Sequence, residues 1–305
     1  MRRLTARAGR GEADRGMATI IVVLMLPLLV LFGALVFDGG RGLVARRQTQ
    51  NAADAGALAK ATDCAQGIST TNFAAYQTDG AVLANSPTCG SGATTVSMTK
   101  HITFAFRPGG GSADVTRSAT AKWGTIGNAT TVPLTISNCE FSQALLDGTT
   151  DITLYLDDPK PQSGCSSLPG GFSQLLASGC AVTITSGGTA VGDPGGDMQK
   201  QIACLTNPTA PALPHDVLIA MYNAAACTST CNGKGPYPIL GFAMFHVTGY
   251  SFNGNRSAGT LGNKCPDDKN RGMYCIRGDF IRFVTAQGSP GTGTNYGVTE
   301  VYLAS

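Results

Sequence analysis

Charge is scarce in this chain. Of 305 residues only 13% are Asp, Glu, Lys or Arg, there are three histidines and one tryptophan, and no cysteine precedes Cys64. The net charge of +3 is itself uneven. Residues 1–62 hold nine basic and four acidic side chains, whereas residues 63–305 hold thirteen and fifteen. The larger part therefore lacks the basic footprint that nucleic-acid binding requires, and nucleic acid is excluded as a partner. Cys227-x3-Cys231 and Cys265-x9-Cys275 could suggest zinc, but no nearby CxxC or His pair completes a set, and of His101, His215 and His246 the first and last sit within strand-like runs and read as structural. Neither a G-x-S-x-G nucleophile turn nor a phosphate-binding G-x-x-x-x-G-K-[ST] loop occurs, and no D-x-[DN]-x-[DN]-G calcium loop is present. No catalytic residue and no cofactor is read from the sequence.

Long apolar runs are also missing, with one exception. Met17–Phe37 (MATIIVVLMLPLLVLFGALVF) is 21 residues without a charge. At about 1.5 Å per residue it matches the roughly 30 Å hydrocarbon core of a bilayer. A cleaved signal peptide would carry a shorter apolar core of about 7–15 residues and a small-residue cleavage site. Here Asp38 and Arg41 follow the run instead. The expectation is a retained transmembrane helix over 17–37, preceded by a basic cytoplasmic segment (1–16) and followed by a juxtamembrane helix (38–62) ending near Ala61. Five arginines before the run against three soon after it place the N-terminus inside. The membrane lipid bilayer is the first partner implied.

Ten cysteines, Cys64, Cys89, Cys139, Cys165, Cys180, Cys204, Cys227, Cys231, Cys265 and Cys275, all lie on the C-terminal side of that run. An even number confined to one side of a membrane reads as disulfides made in an oxidising compartment. Neighbour pairing gives Cys64–Cys89, Cys165–Cys180, Cys227–Cys231 and Cys265–Cys275, with Cys139 and Cys204 left over. Many other pairings are compatible with the sequence.

Leu43–Ala61 is rich in helix formers and holds one glycine, Gly56. Ala52, Ala53, Gly56 and Ala57 set small residues at helical spacing, so one face can approach a neighbour closely. That neighbour is either another membrane protein or the chain's own body. The block RGMATIIVVLMLPLLVLFGALVFDGGRGLVARRQTQNAADAGALA resembles the N-terminal module of the Tad family, the TadE/TadG-like proteins of the Flp pilus system. The likeness is carried by Gly16, Pro27 within the span, Asp38 at its exit, Arg46 and Arg47, and Gln50 through Ala59, with Gly56 standing where the family usually has Ala. PLTISNCEF, PGGFSQLL, YPILGFAMFHVTGYSFNG and YCIRGDFIRFV are more loosely similar to exported domains of TadG-like membrane proteins from actinobacteria. The resemblance implies a pilus-assembly or secretion component, with other pilus-assembly membrane proteins as partners. Ile21 stands where the family's prepilin-like members would carry a Glu after cleavage at Gly16, so cleavage there is not expected. The von Willebrand-type Asp-x-Ser-x-Ser metal pattern of some relatives is not in this chain, and no metal is carried over.

Residues 63–305 read as an exported, mainly β domain, with a subdivision near 126–131. Val96–Phe106 and Ala113–Trp123, separated by RPGGGS, predict a hairpin. Further strands are expected at 151–156, 180–185, 217–222, 239–248, 274–285 and 296–303, and short helices at 171–177 and 198–206. Asp157–Asp158, Asp193 with Asp197, and Asp267–Asp268 with Asn270 read as solvated loop charge, with calcium the sharper alternative. The fold class is thus α+β: a long N-terminal helix and a disulfide-containing β body. The leading function is a non-enzymatic envelope component. The alternatives are a membrane-tethered envelope hydrolase and an anchored surface-binding module.

Overall fold

The computed structural model describes residues 11–106, 110–142, 145–146, 151–156, 174–193, 204, 213–227, 231, 236–252, 256–261, 265–266, 274–285 and 289–304. It has one long apolar helix followed by a mainly β body, and it divides into two compact units. The first takes residues 1–57, 72–87 and 95–120, and the second takes 58–71, 88–94 and 121–305. Helix α1 (Gly11–Ala65) runs through Pro27 and ends four residues beyond the expected Ala61.

In the first unit, α1 changes character along its length. The apolar side chains from Ile20 to Phe37 are mostly exposed, as with Leu24 at 71% and Val36 at 73%. A helix that is apolar all round and uncovered by its own chain suits a lipid surroundings rather than water. Past the exit the pattern becomes one-sided. Ala45, Thr49, the pair Ala52 and Ala53, and the pair Gly56 and Ala57 are buried, each step three or four residues on from the last, while Arg46, Arg47, Asn51 and Ala55 stay exposed. That is the stripe of a helix laid on a core.

The core it lies on in this unit is a three-stranded antiparallel sheet. Strand β1 (Ala81–Leu83) pairs with β2 (Ala93–Thr103), which neighbours β3 (Ser112–Thr131). The expected hairpin is therefore present. Its two faces differ, as strand alternation requires. Val96 and Met98 point inward and are fully buried. The opposite face carries rungs of hydroxyls, Thr95–Thr120 at 2.8 Å, Ser97–Ser118 at 2.8 Å and Thr99–Thr116 at 2.7 Å. The rung His101–Asp114 at 2.7 Å continues the same register toward the hairpin tip.

The second unit is built around a sheet in the order β4 (Thr135–Ser137), β8 (His215–Tyr222), β9 (Pro236–Phe252), β11 (Cys275–Ile281) and β5 (Ile152–Tyr155). Strands β7 (Thr189–Val191) and β10 (Arg256–Gly259) also pair with β9. Elsewhere in this unit the second half of β3 pairs with β14 (Val298–Leu303), with β6 (Val182–Thr185) and with β13 (Ser289–Pro290), and β12 (Phe283–Thr285) runs parallel to β14.

Strand β9 is covered on both faces. Ala243, Phe245 and Val247 join one core with Ile219, Leu154 and Phe280, while Phe242 and Met244 join another with Ile184, Ala220 and Val298. Burial on both sides explains why its sequence is a nearly unbroken apolar run rather than an alternation. All the expected strands occur. The short helix expected at 171–177 does not: Gln174 and Leu175 make isolated β-bridges to Leu134 and Gly192. A backbone bridging two extended segments satisfies its polar groups sideways, not along a helix. Residues 198–203 and 205–206 of the other expected helix lie outside the described residues, as do 171–173.

Candidate functional site

The residues with the strongest sequence signal lie on α1 between Asp38 and Ala57. The four small residues are turned toward the chain itself. Ala53 and Ala57 have no exposure, Ala52 has 3%, and Gly56 is buried. A Cβ built on Gly56 would lie 3.1 Å from Met98 Cε and 3.2 Å from Val96 Cγ1, with the Phe73 ring beyond at 3.8 Å. Gly56 thus lets the helix seat closely on β2. Of the two neighbours that the small face allowed, this arrangement uses the chain's own sheet. The helix surface left open is the opposite one, with Arg47, Asn51 and Ala55.

At the exit of the apolar run the helix grips the hairpin. The Asp38 carboxylate accepts the backbone N–H of Ala105 on Oδ1 and that of Phe106 on Oδ2, each at 3.0 Å. An ionised carboxylate accepting two amide protons makes stronger bonds than a neutral acceptor. The Phe37 and Phe106 rings meet edge to face with centroids 5.4 Å apart, and the Arg41 guanidinium lies 5.7 Å from the Phe37 centroid. Deeper along the helix, Lys100 Nζ donates to Gln48 Oε1 at 2.7 Å.

Two grooves flank this junction. One, of about 710 Å³, runs from Leu31, Ala34 and Leu35 past Phe104 to Arg46 and Arg117. The other, of about 590 Å³, lies between Val36, Arg41 and Val44 of the helix and Ile102 of the hairpin. Sequence reasoning did not single out Ile102, Phe104, Phe106 or Arg117. The signal was nonetheless there: Ile102, Phe104 and Phe106 alternate at the tip of a hairpin, where turn-flanking residues are usually polar.

Four disulfides are described. Cys64–Cys89, Cys227–Cys231 and Cys265–Cys275 match neighbour pairing, with Cα–Cα separations of 5.5, 5.2 and 5.9 Å. Cys180 corrects it, because its partner is Cys204, with 4.8 Å between Cα atoms, and not Cys165. Cys139, left over by the neighbour scheme, is also disulfide-bonded. Cys165 lies outside the described residues. The first bridge ties the last turn of α1 to the loop before β2.

Among the described residues the titratable groups of the second unit form no single constellation. In the register of β8, β9 and β11, Asp216, His246 and Asp279 stand side by side, and His246 Nδ1 is 2.6 Å from Asp216 Oδ1. A bulge at Arg277/Gly278 sets that register, and a side chain at Gly278 (φ 158°) would strike the His246 carbonyl. Arg277 pairs with Asp151 at 2.7 Å. His215 is buried with neither ring nitrogen bonded, and desolvation lowers its pKa. Glu140 is raised from the ordinary carboxylate value to about 7 by desolvation. Burial also raises Tyr222, and the neighbouring Glu140 charge adds to the effect. Among the described residues no group of three or more His, Cys, Asp or Glu side chains is placed to hold a metal ion. Of the acidic residues singled out for calcium, only Asp193 is described.

Residues 16–63 match the family model Tad, described as putative Flp pilus-assembly TadE/G-like. No match was found among curated proteins or among solved structures. The matched stretch starts at Gly16, contains the whole apolar run, the Asp38 clasp and the inward small-residue face, and stops one residue before Cys64. The similarity to the Tad family, TadE/G-like, is thus confined to residues 16–63, the helix and its exit from the apolar run.

Proposed function

We propose that this protein is a non-enzymatic, single-pass membrane component of a Tad/Flp-type pilus assembly or secretion apparatus. Its N-terminus is cytoplasmic and its disulfide-bonded body lies outside the cytoplasm. The observation that carries this reading is the coincidence of three things on one helix: the Tad match over 16–63, the uncovered apolar run Ile20–Phe37, and the start of the cysteines directly after the match. In lipid, helices gain little from hydrophobic burial against one another, so association depends on close packing and polar contacts. With Ala52, Ala53, Gly56 and Ala57 packed inside the chain, the surfaces left for other pilus-assembly membrane proteins are the span itself and the outer stripe at Arg47, Asn51 and Ala55.

The test is a double variant on that outer stripe, Arg47→Glu with Ala55→Glu, expressed from the native locus. It leaves the span and the inward face untouched, so protein level should hold. Co-purification with pilus-assembly membrane proteins and surface piliation should both fall. Normal pili and unchanged partners at normal protein level would overturn the docking role. Unchanged piliation after deletion of the whole gene would overturn the assembly role itself.

A further inference from the structure

The larger groove has an unusual pairing of ends. Leu31, Ala34 and Leu35 at one end belong to the uncharged run, and Arg46 and Arg117 lie at the other. Its remaining charged lining groups, Asp38 and Asp114, are already engaged. Asp38 accepts the two hairpin amides, and Asp114 faces His101 Nδ1 at 2.7 Å. Neither arginine has a carboxylate partner among the described residues.

We propose that this groove binds one anionic phospholipid of the outer leaflet, acyl chains along Leu31, Ala34 and Leu35 and phosphate between Arg46 and Arg117. This inference rests on the membrane-anchored reading given above. Three features select a lipid as the occupant. First, the apolar end is part of the span, so in a bilayer acyl chains surround it. Second, the run ends at Phe37, so Leu31 lies six residues, about 9 Å along a helix, inside it, and Arg46 lies nine residues, about 13 Å, beyond it. From that height a long side chain comes down to a headgroup layer roughly 5–7 Å deep on each side of the hydrocarbon. Third, helix side chains tilt toward the N-terminus, so Arg46 reaches back toward the membrane surface with its apolar stem on the helix. Guanidinium groups suit phosphate because their planar donors bind two oxygens at once. Phe104 and Phe106, at the hairpin tip, then sit at the headgroup boundary, and Asp38 holds that tip against the helix.

The experiment uses the full chain in vesicles of equimolar phosphatidylcholine and phosphatidylglycerol. After gentle detergent extraction, lipids retained by the protein are counted by mass spectrometry. Phosphatidylglycerol should be enriched over phosphatidylcholine. Arg46→Gln and Arg117→Gln should each lower the enrichment roughly five-fold, the equivalent of about 1 kcal/mol per basic residue at an anionic surface. Lys122→Gln, at an exposed residue that lines neither groove, should leave it unchanged. Equal retention of both lipids, or an enrichment indifferent to Arg46 and Arg117, would overturn the proposal. So would a photo-crosslinker placed at Phe104 that captured protein instead of lipid. Alkaline carbonate extraction separates the two readings. A chain released from the vesicles refutes the anchor, whereas a chain that stays but shows no lipid preference refutes only the lipid site.

Discussion

The backbone N–H of Phe106 donates to the carboxylate of Asp38 at 3.0 Å, across 68 residues of chain. With the Ala105 bond, it fastens the hairpin tip to the helix at the end of the apolar run. The Asp at the end of the apolar run is therefore a structural clasp.

Asp38→Asn keeps the shape but replaces one acceptor oxygen with an NH₂ group that faces an amide donor. Amide exchange at Phe106 or Ala105 should speed up about ten-fold or more, the equivalent of at least ~1.4 kcal/mol, near the lower end of the roughly 1.5–3 kcal/mol for a bond to a charged group. Exchange in the helix stripe at Ala53 should not change.

Gly56 makes a graded prediction. In Gly56→Ala the new methyl meets Met98 Cε at 3.1 Å, the far end of a flexible side chain that can yield a few tenths of an ångström, and Val96 Cγ1 at 3.2 Å, on a stiffer β-branched one. The cost should stay below about 1 kcal/mol. Gly56→Leu adds three more carbons to a filled site and should cost about 2–3 kcal/mol or more by overpacking. Thermal unfolding of the two variants against wild type measures both.

The helical stripe was legible in the sequence, since Ala52, Ala53, Gly56 and Ala57 have the spacing of one face. What that face meets was not. A row of small residues fits a partner helix and the chain's own sheet equally well, and only the pairing of β2 with its neighbours places Met98 beneath Gly56. Strands were readable wherever apolar periodicity was strong, as in β9. Their order was not: β10, which starts four residues after β9 ends, is a local partner, but β9 also pairs with β7, β8 and β11 over separations that local pattern does not encode. The Cys180 error has a simple energetic cause. Closing 24 residues in place of 15 costs only about 0.4 kcal/mol more in chain entropy, too little for spacing to decide a pairing.

Non-reduced peptide mapping should recover Cys180 linked to Cys204 and Cys64 linked to Cys89. Replacing Cys64 and Cys89 together by Ser should lower stability by about 2–4 kcal/mol. The loosened element should be the C-terminal turn of α1, seen as faster exchange near Cys64.

Glu140 predicts a pH dependence with a definite sign. Its pKa is raised from 4.5 to about 7, so between those values the folded state binds more protons than the unfolded state. Its favourable contribution is complete below pH 4.5 and is lost as pH rises through 7. Glu140→Gln should remove this slope and raise stability at pH 8 by roughly 1–2 kcal/mol, a figure reduced for its partial exposure. His215 acts in the other direction. Its lowered pKa means the unfolded state takes the proton first, so stability falls as pH drops below 6.5. Denaturant titrations across pH 4–9 on wild type, Glu140→Gln and His215→Phe separate the two groups.

The anchored topology is tested most directly by reporters fused after the last residue of the full chain. Alkaline phosphatase, which matures only outside the cytoplasm, should be active there, and a reporter that works only in the cytoplasm should be silent. The reverse pattern would contradict both the orientation of α1 and the extracytoplasmic placement of the disulfide-bonded body.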